Sequence, residues 1–382
     1  MTSDAPNWRV TLSDIDLSVE EEEAVLEVLR SRWLSLGPRT AEFEQAFAEL
    51  TGARHAVAVS NGTAALHLAL LGVDLRPGDE VILPSLTFVA TANAVIYCGA
   101  TPVFADIEGP DSLLLDPADV RAKITSRTKA VIPMHYGGYP CDMDAFGEIA
   151  SDHGLRIVED AAHAPGAIRS GRPIGSIGDA TCFSFFANKN LVTGEGGMVT
   201  TEEDGVAASV RLNRSHGMTA TSHDKHKGHA FTYDVVSSGF NYRLTEIQSA
   251  LGLVQLRKLA QNNALRRNLV RAYHGRLRRC SHLSVPFLGR EENSACHLMP
   301  VVLGEGIERD RVQSAMKRHG VQTSVHYPPV HRFSRFRADF QARVPRVDRL
   351  AGRLLTLPLH PRMTEADVTL VCDLLEASIE ES

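Results

Sequence analysis

Short apolar runs alternate with helical patterns from residue 56 to residue 160, and that alternation leaves few architectures open. Residues 56–60, 80–83, 102–106, 130–134 and 156–158 read as strands, and 64–71, 90–97, 117–124 and 143–153 as the helices between them. The strands are apolar almost throughout, so both faces need cover, which a parallel sheet with helices on each side provides. Ligands of such sheets sit beyond the carboxyl ends of the strands. Thr63, Phe88, Asp160 and His163 each follow a strand and are expected around one crevice. Asn61-Gly62-Thr63 turns strand into helix, presenting free backbone N–H groups and the positive helix end. That is a natural phosphate cradle, although many such turns bind nothing.

The flanking segments suit a two-domain chain. Ser18-Val-Glu-Glu21 has capping-box spacing and opens a helix through Leu29; a second, at 40–50, carries Phe43 and Phe47 on one face. Residues 243–279 form one long helical pattern, with Leu244, Ile247, Leu251, Val254 and Leu256 apolar and many arginines opposite. A basic helix suits nucleic acid or a membrane surface. A net charge of −6 favours instead a solvated outer face on a helix linking two domains. Beyond it, strands at 297–303 and 321–326 and helices at 309–319 and 365–376 read as a smaller α/β domain. The division expected is 1–250 and 251–382, within reach of 382 residues that are 43% hydrophobic. No apolar run approaches the ~20 residues of a membrane span, and the first residues lack a secretory pattern. Six cysteines without a Cys-x-x-Cys pair read as reduced core residues, and a cytoplasmic protein is expected.

One stretch stands out chemically. Asp179–Thr201 reads as two apolar β-runs, 180–186 and 197–200, around a polar turn carrying Lys189, Gly194, Gly196 and Gly197. On its own it favours a hairpin with a solvated lysine at the tip. A lysine among apolar residues, however, is disfavoured as a cation, and a lysine of lowered pKa attacks aldehydes well. The glycines would let the backbone pass close to a flat ligand.

Asp160, Ser184 and Lys189, the first and last 29 residues apart, turn the choice. Together they resemble the pyridoxal-phosphate (PLP) enzymes of the aspartate-aminotransferase fold, and within them the DegT/StrS-type sugar-nucleotide aminotransferases. Ser60-Asn-Gly-Thr-Ala-Ala-Leu66, Pro84-Ser-Leu-Thr-Phe-Val-Ala-Thr-Ala-Asn93 and Glu159-Asp-Ala-Ala-His-Ala-Pro-Gly166 carry the likeness. So do Phe183-Ser-Phe, Lys189 to Met198, Gly239-Phe-Asn-Tyr-Arg243 with Glu246-Ile-Gln, His326-Tyr-Pro and Leu357-Pro-Leu-His360. The resemblance implies a large, mostly parallel α/β domain and a smaller C-terminal one.

It also implies roles. Lys189 would be the covalent attachment point of PLP and, once freed, the group that shuttles the substrate proton. Asp160 would pair with the ring nitrogen, Phe88 would stack on the ring and His163 would bond the phenolic oxygen. Gly62, Thr63 and Ser184 would hold the phosphate. Asn241 would reach the phosphate of a neighbouring subunit, so that a homodimer shares its sites. Ser35 and His331 are assigned to the sugar pocket from their neighbouring motifs. The expected substrates are a nucleotide-linked keto sugar and an amino donor, L-glutamate or glutamine. Thr193-Gly-Glu-Gly-Gly-Met198 resembles the C4-acting members, which points to a 4-keto-6-deoxyhexose, dTDP-linked by family frequency. C3-acting or keto-inositol enzymes and a PLP-binding regulator are the alternatives. A sister group of dehydrating enzymes carries histidine where this chain has Lys189. The polar loop with His223, His226 and His229 reads as surface rather than metal site, or as a border to the substrate diphosphate. No metal, nucleic acid or membrane partner is expected.

Overall fold

The computed structural model describes residues 8–220 and 232–381; His223, His226 and His229 lie outside them. Seven strands form the main sheet in the order His55–Val59, Gly197–Thr201, Ala180–Ser184, Arg156–Asp160, Thr128–Val131, Glu80–Pro84, Thr101–Ala105. Gly197–Thr201 is antiparallel to both of its neighbours, and the remaining pairings are parallel. The expected sheet is therefore present with one reversed strand. That reversal follows from the hairpin joining 180–184 to 197–201, since a turn of a dozen residues returns the chain antiparallel.

Alternate residues of each strand enter opposite layers. Val57, Val81, Leu83, Val158 and Cys182 pack with helices Gly62–Gly72, Val89–Tyr97 and Asp204–Asn213. On the other face Ile82, Val131 and Ile157 meet helix Met143–His153, while Ala56, Ala58 and Phe183 meet helix Pro38–Thr51. Phe43 and Phe47, placed on one helical face by their spacing, pack against Phe185 and Phe183 with ring centroids 5.4 and 4.9 Å apart. The Ser18 capping box forms as expected, with Glu21 accepting from the Ser18 backbone at 2.8 Å.

Helix Glu246–Leu277 runs across position 250, opened by a Thr245/Gln248 capping box. Its arginines are not all solvated. Arg266 is only 2% exposed and donates to the Leu359 carbonyl at 2.9 Å. Beyond the helix, Leu283–Ser284, Met299–Leu303 and Leu354–Leu357 make a small antiparallel sheet. The strand expected at 321–326 is reduced to isolated bridges, Val321 to Val10 and Ser324 to Thr356. Pro328 and Pro329 follow, and without N–H groups they cannot extend a ladder. All six cysteines are free, and among the described residues no helix is long and apolar enough to cross a membrane.

One contact ties the reversed strand to helix Gly62–Gly72. A Cβ at Gly197 would lie 2.5 Å from the Asn61 carbonyl oxygen and 3.0 Å from the Gly62 nitrogen, both backbone atoms with little room to move. Gly197→Ala should therefore destabilise the protein by about 1–3 kcal/mol. In urea unfolding the midpoint should fall with an unchanged slope; an unshifted midpoint would show that the strand and helix can separate freely.

Candidate active site

The carboxyl ends of the parallel strands open into a cavity of about 680 Å³. Each wall comes from a different strand exit, as the topology requires. Gly62 and Thr63 begin the helix after the first strand, and Phe88 is the N-cap of Val89–Tyr97. Asp160 ends its strand, His163 lies in the turn beyond it, and Ser184 ends the strand from which Lys189 hangs. All seven residues line the one cavity.

Lys189 and Asp160 define its electrostatics. Desolvation lowers the Lys189 amine from 10.5 to about 8, against the opposing attraction of Asp160. Burial raises the Asp160 carboxyl above its ordinary range, although hydrogen bonds to the charged form pull the other way. Its Oδ2 accepts from the Thr91 hydroxyl at 2.7 Å, and its Oδ1 from the Ala162 N–H at 3.2 Å. A cationic partner in the cavity would stabilise its charged form.

At the opposite wall, the Asn61 side chain caps the helix by accepting from the Ala64 N–H at 2.8 Å. The Gly62 and Thr63 N–H groups, in the first turn, are outside the helical ladder. A Cβ at Gly62 would lie 2.8 Å from the Ser184 Cβ, so only glycine lets the helix end meet that serine. Two backbone donors and a hydroxyl therefore converge where the helix dipole favours an anion. Phe88 is 53% exposed and its ring lies 5.7 Å from that of Tyr327, which makes it a cavity wall rather than a core aromatic.

These groups fit PLP: a cradle for its phosphate, a carboxylate for its ring nitrogen, an aromatic face for its ring and an amine of lowered pKa for its aldehyde. Burial holds His163 well below the ordinary imidazole range, helped by the charges of Lys189 and His326. It sits 2.8 Å from the Tyr327 hydroxyl.

Asn241, Ser35 and His331 do not line this cavity. Asn241 is exposed and pairs with Ser215 through its backbone. Ser35 is exposed and outside the cavity. His331 is likewise outside it, held 2.5 Å from the Ser85 hydroxyl and 3.3 Å from Asp348. Thr91, Glu195, His326 and Tyr327 bear on the site without having been assigned a role from sequence. Thr91 was findable, since it lies one helical turn beyond Phe88. The His326-Tyr-Pro motif was visible, but nothing local ties it to a cavity built more than 100 residues earlier.

A model described as the DegT/DnrJ/EryC1/StrS aminotransferase family matches residues 16–376. The spore coat polysaccharide biosynthesis protein SpsC of Bacillus subtilis (strain 168) is 43% identical over 366 residues, 94% of this chain and 93% of SpsC. Spr1654 from Streptococcus pneumoniae, in its PMP-form, superposes with a TM-score of 0.90 at 29% identity, over 97% of this chain and 99% of that one. It has also been solved in a PLP-form. DesI, solved in the presence of its TDP-sugar product, has a TM-score of 0.87 at 36% identity, covering 98% of this chain and 93% of DesI.

The lowered amine is directly measurable. Competitive acetylation of the apoprotein, read by peptide mass spectrometry, should give Lys189 a reactivity midpoint near 8. Below that pH the amine is an ammonium ion and inert, whereas exposed lysines should titrate near ~10.4. A Lys189 midpoint indistinguishable from those would mean that the cavity does not desolvate it. Asp160→Asn should keep its circular dichroism but turn over at least ~100-fold more slowly, the scale of breaking a buried charge pair. Near-normal turnover would remove Asp160 from the site.

Proposed function

The chain belongs to the DegT/DnrJ/EryC1/StrS aminotransferase family and is a PLP-dependent sugar aminotransferase; from that premise we propose that it transfers the amino group of L-glutamate to C4 of a nucleotide-linked 4-keto-6-deoxyhexose. The nucleotide favoured is dTDP, in line with the TDP-sugar product of DesI. The observation that carries the regiochemistry is the turn Thr193-Gly-Glu-Gly-Gly-Met198. Glu195 lines the cavity, and its carbonyl accepts from the Thr193 hydroxyl at 2.7 Å and from the Gln248 amide at 2.6 Å. Gly194 adopts φ +80°, and a Cβ at Gly196 would lie 2.2 Å from the Thr193 hydroxyl. A turn so constrained has one shape, and shape beside a cofactor decides how deeply a hexose enters. A displacement of about 1 Å is worth ~100-fold in rate, enough to choose between adjacent carbonyls.

Bound PLP supplies an electron sink for the charge left when a proton leaves the donor carbon. The chain's own residues do the rest. Gly62, Thr63 and Ser184 would hold the phosphate, and Phe88 would cover one ring face. Asp160 would keep the ring nitrogen protonated. Lys189, with its amine lowered to about 8, would hold a larger neutral fraction near neutral pH than an ordinary lysine, which suits it to moving the proton between the donor carbon and the cofactor. His163 stays neutral and therefore adds no competing charge beside that amine.

Shared sites in a homodimer belong to the same proposal. Asn241 faces outward, and the nearby Tyr233, Val235 and Val236 are each more than half exposed, an apolar surface that suits a second copy. Co-expressing Lys189→Ala with an inactivating Asn241 variant should restore one working site per mixed dimer. Confirmed mixed dimers without recovery would argue against sharing.

The substrate assignment is tested by incubating the protein with dTDP-4-keto-6-deoxyglucose and glutamate and locating the new amine by NMR. Nitrogen at C4 is expected. Nitrogen at C3, or reaction only with a keto-inositol, would defeat the C4 reading while leaving the family membership intact.

A further inference from the structure

Asn190 follows Lys189 directly, yet it is not among the cavity residues and its side chain enters a buried polar network instead. Both of its amide protons are taken, one by Asn263 Oδ1 at 2.8 Å and one by the Ala295 carbonyl at 2.7 Å. The Asn263 amide donates in turn to the Pro165 carbonyl at 2.9 Å, which fixes its own orientation. An amide with both protons committed can only accept at its oxygen. Asn190 Oδ1 therefore accepts from His297 Nδ1 at 2.9 Å, and that nitrogen carries the proton. Burial holds the His297 imidazole well below its ordinary range, so the ring is neutral and Nε2 is bare.

His297 is itself held with little freedom. It leads into strand Met299–Leu303 of the small sheet, and the segment around it is laced to the turn beyond strand Thr128–Val131. The Ala295 N–H donates to the Gly138 carbonyl at 3.1 Å, and the His297 N–H to the Gly137 carbonyl at 2.8 Å. The Ser294 hydroxyl donates to the Gly138 carbonyl at 2.9 Å. A Cβ at Gly138, where φ is +90°, would lie 2.8 Å from the His163 carbonyl oxygen and 3.0 Å from the Cys296 nitrogen. Only glycine lets the segments approach this closely. On its other side the His297 ring packs against that of His163, with centroids 4.3 Å apart. Backbone and ring together aim the imidazole at Asn190.

We propose that Asn190 and His297 are positioning residues, a latch through which the small C-terminal sheet holds the lysine turn closed and keeps the Lys189 side chain inside the cavity. This rests on Lys189 being the working amine of the proposed aminotransfer. Asn190, Asn263, Ala295 and His297 are all buried, so a lost partner is not readily replaced by water. Lys189 and Asn190 share a peptide bond, and a movement that frees Asn190 carries Lys189 with it. Water then reaches the amine and its charged form is favoured again. The ionisable groups that face the amine are Asp160, His163, His326 and His297. Of these only His297 belongs to the latch, and because its ring is neutral its replacement takes no charge away.

The test is the acetylation midpoint of Lys189 in the full PLP-free chain, read by peptide mass spectrometry in variants of the latch. His297→Leu keeps the bulk and removes the donor. It should raise the midpoint from about 8 towards 10.5 by about one pH unit, tenfold in the protonation equilibrium. His297→Asn places an N–H where Nδ1 stood and should leave the midpoint at the wild-type value. Val312→Ala, in the core packed on the small sheet, loosens that part outside the network and should also leave it unmoved. An unmoved midpoint in His297→Leu, a rise that His297→Asn shares, or an equal rise in Val312→Ala overturns the proposal. Should His297→Leu not fold, Asn190→Ala removes the network at its centre and should raise the midpoint at least as far; no rise there also overturns it. The readout needs no substrate, so a failed sugar assignment leaves it untouched. A wild-type midpoint near ~10.4 would instead overturn the desolvation of Lys189, and the latch with it.

Discussion

Lys189 departs from ordinary lysine behaviour only while its turn is held against the protein, and much of the surrounding structure serves that restraint. The Lys189 N–H donates to the Phe186 carbonyl at 2.9 Å, and the Thr193 N–H to the Phe185 carbonyl at 2.9 Å. The Phe185 N–H meets the Gly196 carbonyl at 2.8 Å, which closes the far end of the turn. The next residue, Asn190, is buried and bonded to the long helix through Asn263 and to the C-terminal part through Ala295 and His297. A turn released from these partners would rehydrate the amine and return it towards 10.5, where almost none of it is neutral at neutral pH.

Adjacent acids on one strand show how the sheet separates structural from chemical duties. Glu159 and Asp160 point to opposite faces because successive strand residues alternate. Burial alone would raise Glu159, but hydrogen bonds from His135, Thr181 and Gly178 outweigh it and its pKa is lowered. It is a satisfied internal carboxylate that links three segments beneath the site. Asp160 has fewer partners, faces the cavity and has a raised pKa. The difference lies in how many donors surround each acid, since both are buried.

The sheet and the cofactor wall were legible because they rest on local rules. Apolar strand runs imply their own cover, and a residue just past a strand end must sit at the carboxyl edge; Thr63, Phe88, Asp160 and His163 met there for that reason. Tyr327 was not placeable in this way, because its cavity position depends on how the C-terminal part folds back over the large sheet. Arg266 looked solvated by composition, yet it lies against the Leu359 carbonyl, because helix faces are set by tertiary packing as well as by periodicity. Ser35 and His331 were assigned from their neighbouring motifs, and neither lines the cavity formed by this chain alone.

The account turns on one amine. Borohydride reduction of the PLP-loaded protein would make any covalent link to a lysine permanent, and peptide mass spectrometry would locate it. A pyridoxyl group on the Lys189 peptide alone is the predicted result. Modification spread over exposed lysines such as Lys317, or absent from the Lys189 peptide, would contradict it.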